Sequence, residues 1–309
     1  MSGYIRSLII FCCCCTGVKA QQIPQYTQWF HNQLAINPAH AGIKSCVDVK
    51  TQFRAQYVGL EGAPNSGNFT FSIPLYAKRE KFYSARHGLG MKFERDQLGA
   101  FTGNKFQVNY AAHFNFTQES RLSVGIGAGI EQWGFNKAKA TTLEVDPLVL
   151  QSSSFIAPDV SVGAWWNGKN YFVGFAFHEV LRSKWQDISS ASRFKFHYIL
   201  NGGYRWLVKE GWSLMPYAIL RIPPNAKISA DLSLMVDYNN QFSIGAGYRN
   251  TDAFLFFIQA KFKEQFAIGY SFDYVVSPIG RNEFFTHEIS LTLSGCKSMK
   301  VSKTGCSMF

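Results

Sequence analysis

The stretch Phe106–Phe116, with the sequence FQVNYAAHFNF, has an apolar or aromatic side chain at every second position. An alternation of period two over such a length is the pattern of a β-strand with one apolar and one polar face. It recurs at 122–130, 171–177, 242–248 and 266–274. Uninterrupted apolar runs after residue 20, such as Ala253–Ile258, are far shorter than the roughly 18 residues of a membrane-spanning helix. The sequence therefore predicts an all-β protein.

About fourteen strands can be placed along the chain. They begin near Cys46, Asn68, Arg86, Asn104, Arg121, Pro158, Asn170, Phe194, Trp212, Lys227, Gln241, Ala253, Gln265 and Thr286. We expect tight turns at 167–169 and 238–240, and longer loops at 74–85, 136–157 and 181–193. Bacterial outer-membrane barrels combine an even number of strands with short turns at one end and longer loops at the other. We therefore predict a transmembrane antiparallel β-barrel of about 14 strands.

Composition agrees with this fold class. Only 17% of the 309 residues are charged, 16% are aromatic, and the net charge is +11. With a mean hydropathy of −0.08, these values disfavour a disordered chain, a coiled coil, a collagen and a helical membrane protein. Soluble β-sandwiches and lipocalin-like barrels also alternate, but aromatic residues near strand ends favour a membrane girdle. They are Trp29, Tyr57, Tyr76, Trp133, Tyr171, Trp206, Trp212 and Tyr274.

The N-terminus has the features of a secretory signal peptide. Arg6 supplies a basic region, Leu8–Cys15 an apolar core, and a small-residue site precedes Gln21. A lipoprotein signal and a buried N-terminal strand are the alternatives. We predict four regions. They are a signal peptide at 1–20, a periplasmic N-terminal lead-in at 21–45, the outer-membrane β-barrel at 46–295 and a basic C-terminal tail at 296–309.

Three cysteines remain after residue 20, namely Cys46, Cys296 and Cys306. An odd number leaves at least one thiol free or paired with another protein. Cys296 and Cys306 are close enough in sequence for a possible disulfide in an oxidising periplasm. The alternative is two unpaired thiols on the tail.

Rows of glycine mark the predicted inner face of two strands. Gly125, Gly127 and Gly129 lie on one face of one strand, and Gly245 and Gly247 on one face of another. Such rows make room for a plug, an inserted loop or a partner segment, or they allow a strand to coil at a barrel corner. The coiling interpretation is slightly favoured, and the sequence leaves open whether the lumen is open or plugged.

We find no motif for catalysis, a metal or a cofactor. The histidines have no metal spacing, and there is no CxxC. The GIGAG run at 125–129 lies inside a predicted strand with no helix after it, so it is not a phosphate loop. Asp159, Ser161 and His197 are the best hydrolase candidates, but they form no recognisable motif. The basic charge is diffuse, so the sequence predicts neither an enzyme nor a nucleic-acid-binding protein.

Several motifs resemble one family over about residues 21–295. Gln25-Tyr26-Thr27-Gln28 and Asn37-Pro38-Ala39-His40-Ala41-Gly42 are followed by 54–64, RAQYVGLEGAP. Gly203-Tyr204-Arg205, Gly247-Tyr248-Arg249 and Gly269–Asp273 then follow in order. The chain resembles the PorP/SprF family of type IX secretion outer-membrane proteins. Tyr57 stands where tryptophan is commoner in that family.

The resemblance implies a non-enzymatic outer-membrane component of a Gram-negative type IX secretion system. Such a component would anchor or link the periplasmic machinery for export of proteins with C-terminal secretion signals, or of gliding-motility adhesins. Implied partners are periplasmic ring or peptidoglycan-linking proteins, outer-membrane lipid and cargo C-terminal domains. The alternatives are a channel for small or hydrophobic solutes and an outer-membrane lipid hydrolase.

The turn-rich lead-in has two interpretations. It is either a rigid segment that fixes the N-terminus against the barrel rim or lumen, or a docking surface for a periplasmic partner. The candidate residues are Gln25, Tyr26, Asn37, Pro38, Ala39, His40, Ala41 and Gly42.

Overall fold

The computed structural model describes residues 23–75, 84–117, 119–139, 153–181, 196–224, 226–250, 252–262, 265–278 and 284–295. Fifteen strands account for most of these residues. They are β1 (Asp48–Val58), β2 (Asn65–Leu75), β3 (Arg86–Leu98), β4 (Phe101–Asn115), β5 (Arg121–Phe135), β6 (Ser153–Asn167), β7 (Tyr171–His178), β8 (His197–Tyr204), β9 (Trp206–Lys209), β10 (Trp212–Ile222), β11 (Ser229–Tyr238), β12 (Phe242–Arg249), β13 (Ala253–Phe262), β14 (Phe266–Val275) and β15 (Phe285–Ser294).

Fourteen of these strands form a closed antiparallel barrel, which confirms the predicted fold class. Each strand pairs with its neighbours along the chain, and β1 pairs with β15 from Asp48↔Ser294 onward to close the ring. The short β9 is extra. Among the described strands it pairs with β10 alone, beyond the segment where β10 pairs with β8.

Little helix is present in the described part of the chain. One helical turn, α1 (Gln33–Ile36), and 3-10 turns at Pro38–His40 and Lys137–Lys139 make up the helical residues there. Within those same residues, we find no helix that combines the length and apolar character needed to cross a membrane.

The two faces of the strands differ as the alternation predicts. In β1, Asp48, Lys50, Gln52 and Arg54 are buried inside, whereas Phe53 points outward and is 56% exposed. Large apolar side chains in nearly all other strands are likewise exposed on the outer face. An apolar band around a polar interior is the arrangement of a barrel whose outer solvent is lipid.

The two ends of the barrel have different connections. We call the end where β1 begins and β15 finishes the near end, and the opposite end the far end. Apart from 76–85, the near-end connections are short. In one of them, Asn239 and Asn240 both have positive φ angles (53° and 56°), as a two-residue hairpin turn requires. The far end holds the longest connections, 136–152 and 179–196.

Three details differ from the prediction. β6 begins at Ser153, five residues before the predicted Pro158, because pairing with β5 extends beyond the alternating part of its sequence. β9 was not predicted. Trp29 is buried in the N-terminal segment and does not belong to a girdle, whereas Tyr171, Trp206 and Tyr274 are exposed on the barrel. Tyr76, the proposed signal peptide and the tail lie outside the described residues.

Candidate functional site

A strap formed by residues 23–43 runs through the inside of the barrel. At the far end, the backbone amide of Thr27 donates to Glu288 near the start of β15. At the near end, Gly42 donates to Ser72 near the end of β2. Between these points the strap contacts strands on every side of the ring, including β7 and β13. A segment that touches all sides of a closed barrel lies in its lumen.

Three arginines and three carboxylates surround the strap toward the far end. This far-end charge network consists of Arg54, Arg221, Arg249, Asp231, Asp273 and Glu288. Arg54 lies 2.7 Å from Asp273 and 3.2 Å from Glu288. Arg249 lies 3.0 Å from Asp231 and 3.4 Å from Asp273, so it links these two carboxylates. The formal charges of these six groups sum to zero, so the buried network contains no uncompensated charge.

The network holds the strap by its backbone and by Thr27. The Glu288 carboxylate accepts the amides of Thr27 (2.7 Å) and Gln28 (2.9 Å). The Thr27 hydroxyl donates to Asp273 at 2.8 Å and accepts from Arg54 at 2.8 Å. Hydrogen bonds to ionised groups are about twice as strong as neutral ones, so this contact fixes the strap firmly.

Aromatic packing fixes the middle of the strap. Phe30 stacks on Tyr217 of β10, with centroids 4.9 Å apart and an interplanar angle of 7°, and also contacts Phe257 of β13. Trp29 meets the Tyr217 ring edge-on at 6.1 Å. Offset and edge-on ring pairs add to the free energy that comes from burying their surface.

Barrel side chains also satisfy the irregular backbone of the strap. Its buried carbonyl groups accept hydrogen bonds from strands on several sides. The donor and acceptor pairs are Lys92 to Ala35 (2.8 Å), His178 to Ile36 (2.8 Å), His113 to Ala41 (2.9 Å) and Arg121 to Ile43 (3.2 Å). In each histidine, Nε2 therefore carries the proton.

The Asn-Pro pair of the motif has a structural role. Asn37 caps the 3-10 turn by accepting the amide of Ala39 at 3.0 Å, and Pro38 occupies the first position of that turn. The Asn37 side-chain amide also donates to the carbonyl groups of Ala164 (3.0 Å) and Phe175 (3.1 Å). One side chain thus shapes the turn and joins it to β6 and β7.

Several glycines of the barrel make room for the strap. A Cβ at Gly125 would overlap the backbone of Pro38 and Ala39, and one at Gly163 would overlap the side chain of Asn37. Gly88 and Gly42 are in direct backbone contact, and Gly42 has a φ of +66°. The plug interpretation of the glycine row is therefore correct at Gly125.

The other glycines of the predicted rows accommodate the barrel itself. A Cβ at Gly129 would meet the β4 backbone, and one at Gly245 would meet the Phe257 ring that packs on Phe30. Gly247 lies against the backbone of β11. At these positions the coiling and packing of the wall accounts for the glycine.

A second charged cluster lies between the strap and the far end of β4 to β7. Lys105 is 2.6 Å from Glu179, 3.1 Å from Asp159 and 3.6 Å from Glu131. Carboxylate oxygens of the three acids lie within 4.8 Å of one another. This cluster could not be predicted from the sequence, because the three acids are far apart in the chain and meet only once the strands are paired. The Lys105 ammonium lies among them and compensates part of their charge.

The excess negative charge of this cluster makes its stability depend on pH. Burial, with help from Glu131 and Asp159, raises the pKa of Glu179 from 4.5 to about 8, although Lys105 opposes the rise. Folded Glu179 then keeps a proton that the unfolded chain loses above pH 4.5. The stabilisation is therefore complete below about 4.5 and is lost as the pH rises through about 8.

Between pH 5 and pH 9, we expect the thermal unfolding temperature of the detergent-solubilised wild-type barrel to fall relative to that of Glu179→Gln, because a neutral amide cannot lose a proton. Glu119→Gln is the control, since Glu119 is on the exposed turn at 116–120. Equal pH profiles for wild type and Glu179→Gln would contradict the expectation.

All eight predicted lead-in residues lie inside the barrel. The side chains or backbones of all eight are buried, namely those of Gln25, Tyr26, Asn37, Pro38, Ala39, His40, Ala41 and Gly42. This placement favours a segment that is fixed against the lumen. The docking role of these residues stays a prediction.

Two of the hydrolase candidates are neighbours on β6. Ser161 and Asp159 both accept hydrogen bonds from Gln107, at 2.8 and 2.9 Å, and Asp159 also belongs to the Lys105 cluster. His197 begins β8, two strands away from Ser161 along the sheet.

Cys46 lies beside the seam between β1 and β15, where its sulfur is 3.4 Å from the Ser294 hydroxyl. Cys46 is disulfide-bonded, and its partner lies outside the described residues. The ladder pairs Asp48 with Ser294, and Gly295 donates to the Val47 carbonyl at 2.8 Å. If this register continues beyond the described residues, position 296 is the next to pair with Cys46, and directly paired strand positions are close enough for a disulfide.

We therefore predict a Cys46–Cys296 disulfide that competes with the Cys296–Cys306 pairing, which stays a prediction. Mass spectrometry of a non-reduced digest should find the Cys46 and Cys296 peptides joined, with Cys306 available to alkylation. A peptide with an internal Cys296–Cys306 bond would contradict this result.

Comparisons with known proteins agree with the barrel. Residues 18–293 match the family model described as type IX secretion system membrane protein PorP/SprF. Among curated proteins, none matches the chain in sequence.

Solved structures of similar shape are outer-membrane or channel proteins with low sequence identity. The Ralstonia pickettii toluene transporter TbuX has a TM-score of 0.48 and 9% identity, over 84% of this chain and 91% of that one. Omp33 of Acinetobacter baumannii has a TM-score of 0.47 and 9% identity, over 82% and 99%. The CymD monoaromatic hydrocarbon channel has a TM-score of 0.48 and 9% identity, over 90% and 94%.

The family match spans nearly all of the described barrel, and the closed sheet with its apolar outer band has the form that this family model implies. The chain is therefore an outer-membrane β-barrel that belongs to the PorP/SprF family of type IX secretion system membrane proteins.

Proposed function

We propose that the protein anchors or links the periplasmic machinery of type IX secretion to the outer membrane, without itself conducting cargo. The machinery would export proteins with C-terminal secretion signals or gliding adhesins. Its partners would be periplasmic ring or peptidoglycan-linking proteins, with cargo C-terminal domains as a further possibility.

The observation that carries this proposal is the filled lumen. The strap occupies the barrel from end to end, and charged, aromatic and backbone contacts hold it there. Even an empty barrel of this strand number would be narrower than a porin of about 16–18 strands, which leaves only an aqueous channel. A folded cargo domain would need a different and larger pore.

The lumen also argues against the alternative of a solute channel. One cavity beside the strap, at the Lys105 cluster, has a volume of about 40 Å³, and another, at Gln25 and Arg221, has a volume of about 20 Å³. Each holds no more than a few water molecules. A channel would need the strap to leave, and that would separate Glu288 from the amides it accepts.

The near end offers an outer surface for a periplasmic partner. There β9 pairs with β10 alone among the described strands, which leaves its other backbone edge open. Trp206, Leu207 and Val208 are 62%, 58% and 64% exposed. An open strand edge with apolar side chains on both faces is suited to pairing with a strand of another protein.

The proposal is tested by deleting the gene and quantifying proteins in the culture fluid and the periplasm. Proteins with type IX C-terminal domains should disappear from the fluid and accumulate in the periplasm. Loss of a single adhesin would instead indicate a cargo-specific accessory. An unchanged secretome would overturn the proposed role.

A second test addresses the surface on β9. Leu207→Ser with Val208→Ser should reduce co-purification of type IX periplasmic proteins with the barrel, while heat-modifiable migration stays unchanged. Ile228→Ser is the matched control, because Ile228 is 51% exposed but lies at the far end. Equal recovery of partners from both variants would exclude β9 as the docking surface.

A further inference from the structure

The direction of the strap determines where its first residues lie. Ile23 and Pro24 line a cavity with Glu131 and Trp133, which belong to the far half of β5. Gln25 accepts from Ser229 at the far end of β11. The chain therefore enters the lumen from the far end.

The other end of the strap lies at the opposite mouth. Ala41 accepts from His113, two residues before the near end of β4. Ile43 accepts from Arg121, the first residue of β5 at the near end. From there a short link leads into β1. The strap thus crosses the whole barrel once before the first strand begins.

The ends of the barrel can be assigned to the two sides of the membrane. Outer-membrane barrels have short periplasmic turns and longer extracellular loops. The far end holds the long connections 136–152 and 179–196, whereas the near end holds the turns at 168–170, 210–211 and 239–241. The near end is therefore periplasmic, and the far end is extracellular.

We propose that the strap delivers the N-terminus of the mature chain to the cell surface. If cleavage occurs before Gln21, only Gln21 and Gln22 precede Ile23, and two residues span at most about 7 Å. Ile23, the first described residue, lies at the extracellular mouth, so the mature chain would begin on the extracellular side although β1 starts at the periplasmic one.

This topology is reached most simply if the β1–β15 seam closes around a strap that is already in place, because no segment carrying Trp29 and Phe30 then has to pass through a finished barrel. The charge network contributes to this order, since Arg54 of β1 and Glu288 of β15 meet each other and Thr27 only at closure.

The proposal is tested by thiol labelling of intact cells with a maleimide polymer too large to cross the outer membrane. Three cysteine variants are compared with the wild type. Gln22→Cys reports on the N-terminus, Glu61→Cys on the far-end connection 59–64, and Glu119→Cys on the near-end turn 116–120. Each label is detected as a shift in gel migration.

Gln22→Cys and Glu61→Cys should both be labelled in intact cells. Glu119→Cys and the wild-type Cys306 should be labelled only after the outer membrane is made permeable. The proposal is overturned if Glu61→Cys is labelled in intact cells and Gln22→Cys is not. This holds whether or not Gln22→Cys becomes labelled after the outer membrane is made permeable. This outcome would leave the anchoring role untouched, because that role is read from the secretome.

Discussion

Arg54→Ala is expected to destabilise the folded barrel by about 3–5 kcal/mol, the usual cost of removing one partner from a buried ion pair. Arg54 lies between Asp273 and Glu288 and also donates to the strap at Thr27. Without its guanidinium, Asp273 keeps Arg249 at 3.4 Å, whereas Glu288 keeps only the neutral donors of Thr27, Gln28 and Gln52 among the described residues. Denaturant unfolding in detergent, followed by tryptophan fluorescence, measures the change.

Two controls separate this effect from a general response to a lost charge. Lys169→Ala removes a cation from the exposed Lys169–Glu119 pair (3.7 Å), where we expect a change below about 0.5 kcal/mol. Arg54→Met combined with Glu288→Gln removes charge on both sides and should recover part of the lost stability. If Arg54→Ala unfolds at the same denaturant concentration as Lys169→Ala, the network does not stabilise the barrel.

The second large effect is expected from Gly125→Ala. The added methyl group would overlap the strap backbone at Pro38 and Ala39, so the strap or β5 must move. Overpacking of this kind typically costs about 1–3 kcal/mol. The shift also strains the hydrogen bonds that Asn37 makes to β6 and β7, so the strap should become more sensitive to added protease.

Gly67→Ala is the matched control for this prediction. Gly67 lies in β2, and a Cβ there would meet its nearest neighbours, Gln52 and Phe53, at an ordinary 3.6–3.8 Å. We expect the Gly67 variant to keep wild-type stability and protease resistance. Equal behaviour of the two variants would contradict the account of the glycine at 125.

The strands were predictable because their signal is local. Alternation placed the fourteen barrel strands, and the Asn239-Asn240 pair predicted its hairpin turn. β9 was not predicted because it covers only Trp206–Lys209, which is too short to show an alternation of apolar and polar residues.

The sequence predicted the strap as one of two interpretations of the lead-in, but its contacts were not predictable, because they are defined by closure of the barrel. Thr27 and Glu288 are 261 positions apart in the sequence. Arg54, Asp273 and Glu288 occupy inward-facing positions of β1, β14 and β15, in which apolar and polar residues alternate. Their polarity was therefore a usable signal that these positions face the lumen. Their pairing depends on the register of β1, β14 and β15, which no local pattern specifies. The prediction for Trp29 was wrong: this aromatic side chain was assigned to a membrane girdle, but it packs in the lumen.

The central claim is that the strap fills this barrel and makes it an anchor that does not conduct. Conductance of the purified wild-type protein in planar lipid bilayers tests it most directly, with a porin as the positive control. The account predicts no steady current from wild type at neutral pH, and brief openings from Gly125→Ala as its strap loosens. A steady ohmic current through the wild-type protein would contradict the claim.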